Sequence, residues 1–233
     1  MKFFSRITQE VKNASYALRV RIARIPFAVA HDVPYVCQFA TPAHAEATLR
    51  GTLATVADPE WAQSGADSPE QYARWAFTCC GMACTAMALA YFRKQKVTPV
   101  ELAQDAARFG VYTEKDGALS GMLYRQFAMW VTKYGLRASI YTWLSVKDIE
   151  YALAKGQLVI VSVNPNIRGH DTAPALQVGG HLILVTGYDR DRATITVNNP
   201  SGFESTETQK GHTLTEEAFK KYFAGRGIIL SVV

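Results

Sequence analysis

The apolar positions change their period along this chain. Phe3, Phe4, Ile7 and Val11 recur at helical spacing, which predicts a helix over 3–16. Leu18, Val20 and Ile22 then alternate with Arg19, Arg21 and Ala23, which predicts a half-buried strand over 18–25 with arginines on its outer face. Residues 41–74 lose this order and carry Pro42, Pro59, Pro69, Gly51 and Gly65, so a loop-like segment is expected. Helical patterning returns from about Cys80 to about Lys94. Thr98-Pro99-Val100-Glu101 opens another helix with a capping threonine, a proline in the first turn and a glutamate at the third position, and Gly110 supplies a stop. Further helices are predicted from Ser120 to Gly135 and from Ser145-Val146-Lys147-Asp148 to Gly156. Beyond Gly156 the apolar runs become continuous and β-branched. Leu158–Val163, Leu182–Thr186 and Ala193–Val197 read as strands, the last two joined at Asp189-Arg190-Asp191. A short helix near Thr215–Phe223 precedes a final strand, Ile228–Val232.

Helices followed by antiparallel strands give an α+β organisation rather than alternating βαβ units. With 233 residues, 48% hydrophobic and 19% charged, one sizeable core is expected, drawn here as a single domain over 27–233 behind a basic segment over 1–26. No apolar run approaches the roughly 18 residues a spanning helix needs, so no integral membrane segment is expected. Met1-Lys2-Phe3-Phe4-Ser5-Arg6 lacks the apolar region of a secretory signal, so a cytoplasmic location and reduced thiols are expected. The net charge of +5 is localised: Lys2, Arg6, Lys12, Arg19, Arg21 and Arg24 stand against Glu10 alone in residues 1–26. The remainder is balanced, which argues against nucleic acid as a partner. The basic segment is suited to an acidic partner or a lipid surface if it does more than form an N-terminal helix and edge strand.

Candidate chemistry begins with Cys37, Cys79, Cys80 and Cys84. The three clustered cysteines read C-C-x3-C rather than paired C-x2-C, and no H-x3-5-H follows, so neither zinc nor another cofactor is expected. A disulfide from Cys37 to Cys79 or Cys80 is left open. Cys80 stands where loop becomes helix, a position that favours thiolate through the helix dipole and unpaired amides. Gly81 beside it would let a substrate backbone approach. Cys84, one turn on, reads as packing, while Cys79 remains a competing thiol. Of the five histidines, His31, His44, His170 and His212 fall in loop-like segments. His181 opens an apolar strand after Gly179-Gly180, which would hold the ring and leave room beside it. Asn198-Asn199-Pro200-Ser201-Gly202 ends the next strand, and in an antiparallel hairpin that end returns to the start of the first. Asn198 or Asn199 can therefore orient His181.

These stretches resemble the papain-like cysteine peptidases of the C39 and C39-like class, found in bacteria. The likeness runs in order through Val33-Pro34-Tyr35-Val36-Cys37-Gln38, Cys80-Gly81-Met82-Ala83-Cys84, Leu158–Val163, Gly180-His181-Leu182-Ile183 and Val197-Asn198-Asn199-Pro200. The resemblance implies a papain-like fold and hydrolysis of a peptide or protein through a thioester acyl-enzyme, with leader-peptide or linker processing as the natural substrate. It assigns Cys80 as nucleophile, His181 as base, Asn199 as its orienting partner and Gln38 as oxyanion donor. The class usually carries Asp where this chain has Asn199, and Cys79 is an extra thiol. Trp61 and Trp75 are placed to shape a substrate cleft, and the loop over 164–179 to act as a lid. Acyl transfer by the same machinery and a catalytically silent peptide-binding module are the rival readings.

Overall fold

A computed structural model of the chain describes Tyr16, residues 23–169 and residues 179–233. The helix expected over 3–16 therefore lies outside the described residues except for helical Tyr16. Its ring packs against Tyr141 and Tyr151, and its hydroxyl donates to the Asp148 carbonyl. The strand expected over 18–25 lies outside them up to residue 22, and Ala23–Ile25 form no strand.

The elements run in the order β1 (Ala28–Ala30), α1 (Ala45–Leu49), α2 (Pro69–Ala76), α3 (Cys80–Arg93), α4 (Pro99–Arg108), β2 (Glu114–Lys115), β3 (Ala118–Leu119), α5 (Tyr124–Trp130), β4 (Leu136–Tyr141), α6 (Val146–Ala154), β5 (Leu158–Val163), β6 (His181–Asp189), β7 (Thr194–Asn198), β8 (His212–Thr215), α7 (Glu216–Tyr222) and β9 (Phe223–Val232). Helices mixed with an antiparallel sheet give the α+β organisation that the sequence predicts. Two capping boxes are in place: Thr98 with Glu101 starts α4, and Ser145 with Asp148 starts α6.

Two expectations fail for local reasons. Residues 41–74 hold short helical pieces rather than loop alone, because Pro42 and Pro69 occupy first turns, where a missing N–H costs nothing. Ser68 caps α2 by accepting the Gln71 N–H. Ser120 does not open a helix. Its hydroxyl accepts the Thr113 N–H at 2.8 Å and its own N–H donates to the Thr113 carbonyl at 2.7 Å. This closes the β2–β3 hairpin around Asp116-Gly117, both at positive φ as a two-residue I′ turn requires. The helix starts at Tyr124 and tightens into a 3-10 turn that ends at Gly135.

The main sheet runs β4-β9-β5-β6-β7-β8, with β1 added on β6, and its pairings are antiparallel. Gly187 allows the approach of β1: a Cβ there would lie 2.7 Å from the Val29 carbonyl oxygen. Helix α3 is buried from Gly81 to Leu89, as a helix apolar all round must be, and packs on β5, β6 and β9. Strand β5 is buried along its whole length. Among the described residues, no single helix is long and apolar enough to cross a membrane.

Candidate active site

Strand register brings the sequence-distant residues together. His181 is the first residue of β6 and pairs with Val163, the last of β5. Asn198 ends β7 opposite Leu184, so Asn199 turns back toward the start of β6. His181 Nε2 lies 2.8 Å from Asn199 Oδ1 and 3.2 Å from Ser201 Oγ. Both side chains of the pair are buried, His181 at 1% exposure and Asn199 at 0%. Asn198 serves elsewhere: its amide donates to the Val33 carbonyl and accepts the Gly211 N–H. The loop bearing Asn199 is buttressed by Tyr35, whose hydroxyl donates to the Asn199 carbonyl, and by Cys37 and Gln38, which both donate to the Pro200 carbonyl.

Asn199 Oδ1 also accepts the Ser201 backbone N–H at 3.2 Å. That donor fixes the oxygen end of the amide toward His181, so Nε2 carries a proton and donates. The opposite ring nitrogen, Nδ1, faces Arg168 Nη2 at 3.4 Å, and a guanidinium can only donate. The lone pair is thus on Nδ1. Burial holds the imidazole well below the usual histidine range, and the Arg168 charge adds to the effect, against the Asn199 hydrogen bond.

Cys80 is the first residue of α3, and no side chain caps that helix end. Cys80, His181 and Gly180 line one cavity of about 430 Å³ with Met122, Tyr124 and Arg226 among the other walls. Burial pushes the Cys80 thiol above its ordinary range, while the Leu182 amide and then the Arg168 charge pull it back. The remaining cysteines are buried, and all four are free, so the disulfide left open by the sequence is absent. Burial drives the Cys79 and Cys84 thiols well up; Cys79 points to the Pro99 carbonyl and Cys84 to that of Leu182. Cys37 is pushed up to about 11, chiefly by burial.

Three expected site residues are not brought to this cavity. Gln38 is buried, its Nε2 donating to the Ala76 carbonyl at 2.7 Å, and it lines a different cavity with Ser64 and Pro99. Its Oε1 has no partner. Trp75 packs edge-on against Tyr112 in the core, because α2 turns its ring inward rather than toward a cleft. Gly81 is buried behind the cavity wall, where a Cβ would meet Met122 Sδ at 2.8 Å and Leu182 Cδ1 at 3.0 Å. Gly180 does line the cavity, at φ +107°, a conformation that favours glycine. Trp61 lies in a 3-10 turn and is not part of the cavity wall either. The loop placed as a lid begins with a 3-10 turn, Pro165–Arg168, and residues 170–178 lie outside the described residues.

The sequence reading missed Arg168 and Ser201. Ser201 was in plain view two residues after Asn199 but read as turn chemistry. Arg168 carried no signal, since its position depends on the turn that continues β5 past its pairing with His181.

Residues 30–227 match the family model described as the Peptidase_C39 like family. No curated protein matches the chain. Among solved structures, a protein of Bacillus anthracis assigned to the C39-like peptidases is 15% identical, covers 88% of this chain and 98% of its own, and superposes with a TM-score of 0.54. At that identity the likeness shows the fold. A double glycine motif protease from an AMS/PCAT transporter, solved with its leader peptide, is 21% identical over 66% of this chain and 84% of its own, with a TM-score of 0.43. Xylellain, a cysteine protease from Xylella fastidiosa, is 14% identical over 91% and 88%, with a TM-score of 0.38.

Proposed function

The chain belongs to the C39-like peptidase family and is accordingly a cysteine peptidase; from that premise we propose that Cys80, His181 and Asn199 hydrolyse a peptide bond through a thioester. The observation that carries this reading is the buried imidazole whose Nε2 is held by Asn199 Oδ1 at 2.8 Å in the wall of the cavity that Cys80 also lines.

Burial favours the uncharged forms of both groups, the Cys80 thiol and the neutral His181 imidazole. As the sulfur attacks the substrate carbonyl carbon, the thiol proton passes to Nδ1 of His181. Asn199 keeps the Nε2 proton in place throughout, so the imidazolium forms at the nitrogen that faces the reacting atoms. The C–N bond then breaks, and His181 returns that proton to the leaving amine. Water attacks the thioester, giving its proton to Nδ1, and the acid leaves as the sulfur is reprotonated. The backbone N–H of Cys80, at an uncapped helix start, is one donor to the oxyanion. Gln38, which the resemblance gives as the second donor, spends one amide N–H on the Ala76 carbonyl and keeps the other, but its side chain would have to turn from its own cavity to reach the oxyanion. The substrate is a peptide or protein, with processing of a leader or linker segment as the class within the family.

The test is to incubate the protein and its Cys80→Ala variant with a peptide mixture and weigh the products. Paired products that sum to the substrate plus one water, made by the native protein alone, are expected. A conserved total mass would mark transfer to an amine instead. Peptide binding without products in either protein would overturn the reading in favour of a silent binding module.

A further inference from the structure

The cavity that Cys80 and His181 share has a lining of two kinds. Phe77, Met122 and Leu182 are apolar, whereas Tyr124, Ser162 and Arg226 are polar. No described residue of the lining is acidic, and Arg226 brings a charge that no working pH removes. The sheet builds that position. Strand β9 pairs Gly227 with Val161 and Phe223 with Val163, so three residues of β9 stand opposite Ser162 alone. A bulge beside a site re-aims side chains, and from this one Arg226 reaches the cavity that Ser162 also lines. The two groups meet at Gly179, two residues before His181: a Cβ there would collide with Arg226 Nη2 and lie 2.8 Å from Ser162 Oγ. Ser162 is the polar residue of the otherwise apolar β5 and is buried.

We propose that Arg226 is a specificity-determining residue, which with Ser162 receives a substrate carboxylate at one fixed position beside the scissile bond. This rests on the reading of Cys80 and His181 as nucleophile and base. The carboxylate belongs to an Asp or Glu side chain or to a chain end. A guanidinium offers five N–H donors in a planar fork, more than its hydrogen bond to the Tyr124 hydroxyl uses, and that fork matches a carboxylate. The Ser162 hydroxyl can add a further donor. Arg168, 3.4 Å from His181 Nδ1, places a second cation on the side of the base, so the local field favours an anion and opposes Lys or Arg in the substrate. Phe77, Met122 and Leu182 are left to pack the apolar atoms beside the bound charge.

The experiment uses a host peptide chosen by its binding to the Cys80→Ala variant. Glu, Gln or Lys is placed at each position in turn, and every peptide is made with a free carboxyl and with an amide end. The readouts are kcat/KM with the native protein and Kd with Cys80→Ala. Glu should be favoured over Gln at one position by about tenfold or more, as a hydrogen bond to a charged group allows, and Lys should be the poorest. A preference that survives amidation assigns the site to a side chain; one that follows the free carboxyl assigns it to a chain end. Arg226→Gln should abolish the preference, and Arg226→Glu should turn it toward Lys at the same position. A merely structural arginine would slow all peptides alike and reverse nothing. Equal values for Glu and Gln at every position and for both chain ends, in the native protein and in Cys80→Ala, overturn the inference without need of an Arg226 variant. Cleavage without an acidic preference overturns this inference alone. Tighter binding of the acidic peptides by Cys80→Ala, with no cleavage by the native protein, overturns the peptidase reading and leaves the carboxylate site standing.

Discussion

Asn199→Ala removes the acceptor that holds His181. The lost contact is the 2.8 Å hydrogen bond to Nε2, and with it goes the acceptor for the Ser201 N–H at 3.2 Å. Stranding a buried donor costs about 1–3 kcal/mol. Two donors are affected, but Ser201 Oγ still faces Nε2 at 3.2 Å and can take part of the first. A net loss near 2 kcal/mol follows, which in a chain of this size lowers Tm by about 4–8 °C. The catalytic effect is separate. Without Asn199 the ring loses the acceptor that fixes its tautomer and its orientation, and about 1.4 kcal/mol of that control lost in the transition state is a factor of about ten in rate. kcat should fall about tenfold while KM changes little, because nothing in the substrate's path has moved. The assay is steady-state cleavage of the best peptide with a thermal melt of the same sample. A Tm loss of the stated size with kcat within about twofold of native would refute the tautomer argument and leave Asn199 as a strut.

Asn199→Asp keeps the acceptor and adds a negative charge beside the ring, which raises the His181 pKa. The acid limb of the pH–kcat/KM profile should move to higher pH, and an unmoved limb counts against the assigned contact. His181 itself gives a stability prediction. Its folded pKa is depressed while the unfolded value is about 6.5, so the unfolded chain binds the proton first as pH falls. Stability contributed by this group is present above about pH 6.5 and declines below it, by up to about 1.4 kcal/mol per pH unit. Urea melts at pH 7.5 and 5.5 should show that decline, and His181→Gln should lose its share. Gly180→Ala, at φ +107° in the cavity wall, should cost about 1–3 kcal/mol from backbone strain and lower cleavage; a native-like melt would exclude strain there.

What could be read from the residues followed local rules. The Thr98 and Ser145 caps need only a four-residue window, and both helices begin where those windows place them. Strand β5 matches the apolar run Leu158–Val163 residue for residue, because a strand buried on both faces has no polar position to blur its ends. Strands β4 and β8 were missed, since both lie at sheet edges with mixed exposure and their polar residues face solvent. The pairing of His181 with Asn199 was legible because one hairpin joins them. Arg168 was not, since its position depends on a third strand, β5, which lies between β6 and β9 in the sheet. Trp75 and Gly81 were misplaced for a related reason. Proximity to Cys80 in sequence says which turn a residue occupies, but not whether its side faces the cavity or the core.

The same distinction explains how one thiol is singled out among four. Cys80 and Cys84 sit one turn apart on α3, and Cys79 directly precedes them, so residue type and helix position nearly coincide. Three of the thiols are in the low-dielectric interior, where the charged form is disfavoured; Cys37, Cys79 and Cys84 donate to backbone carbonyls. Cys80 differs in three coupled ways. It is partly exposed to a cavity, it meets the Leu182 amide, and it lies within reach of Arg168. Each of these comes from a different element, α3, β6 and the turn after β5, so no single segment carries the reactive site. Iodoacetamide should therefore label Cys80 ahead of the other three in the folded protein. All four should label at comparable rates once urea has removed the sheet that brings these elements together, and persistence of the selectivity in urea would mean that local sequence, not the fold, sets it.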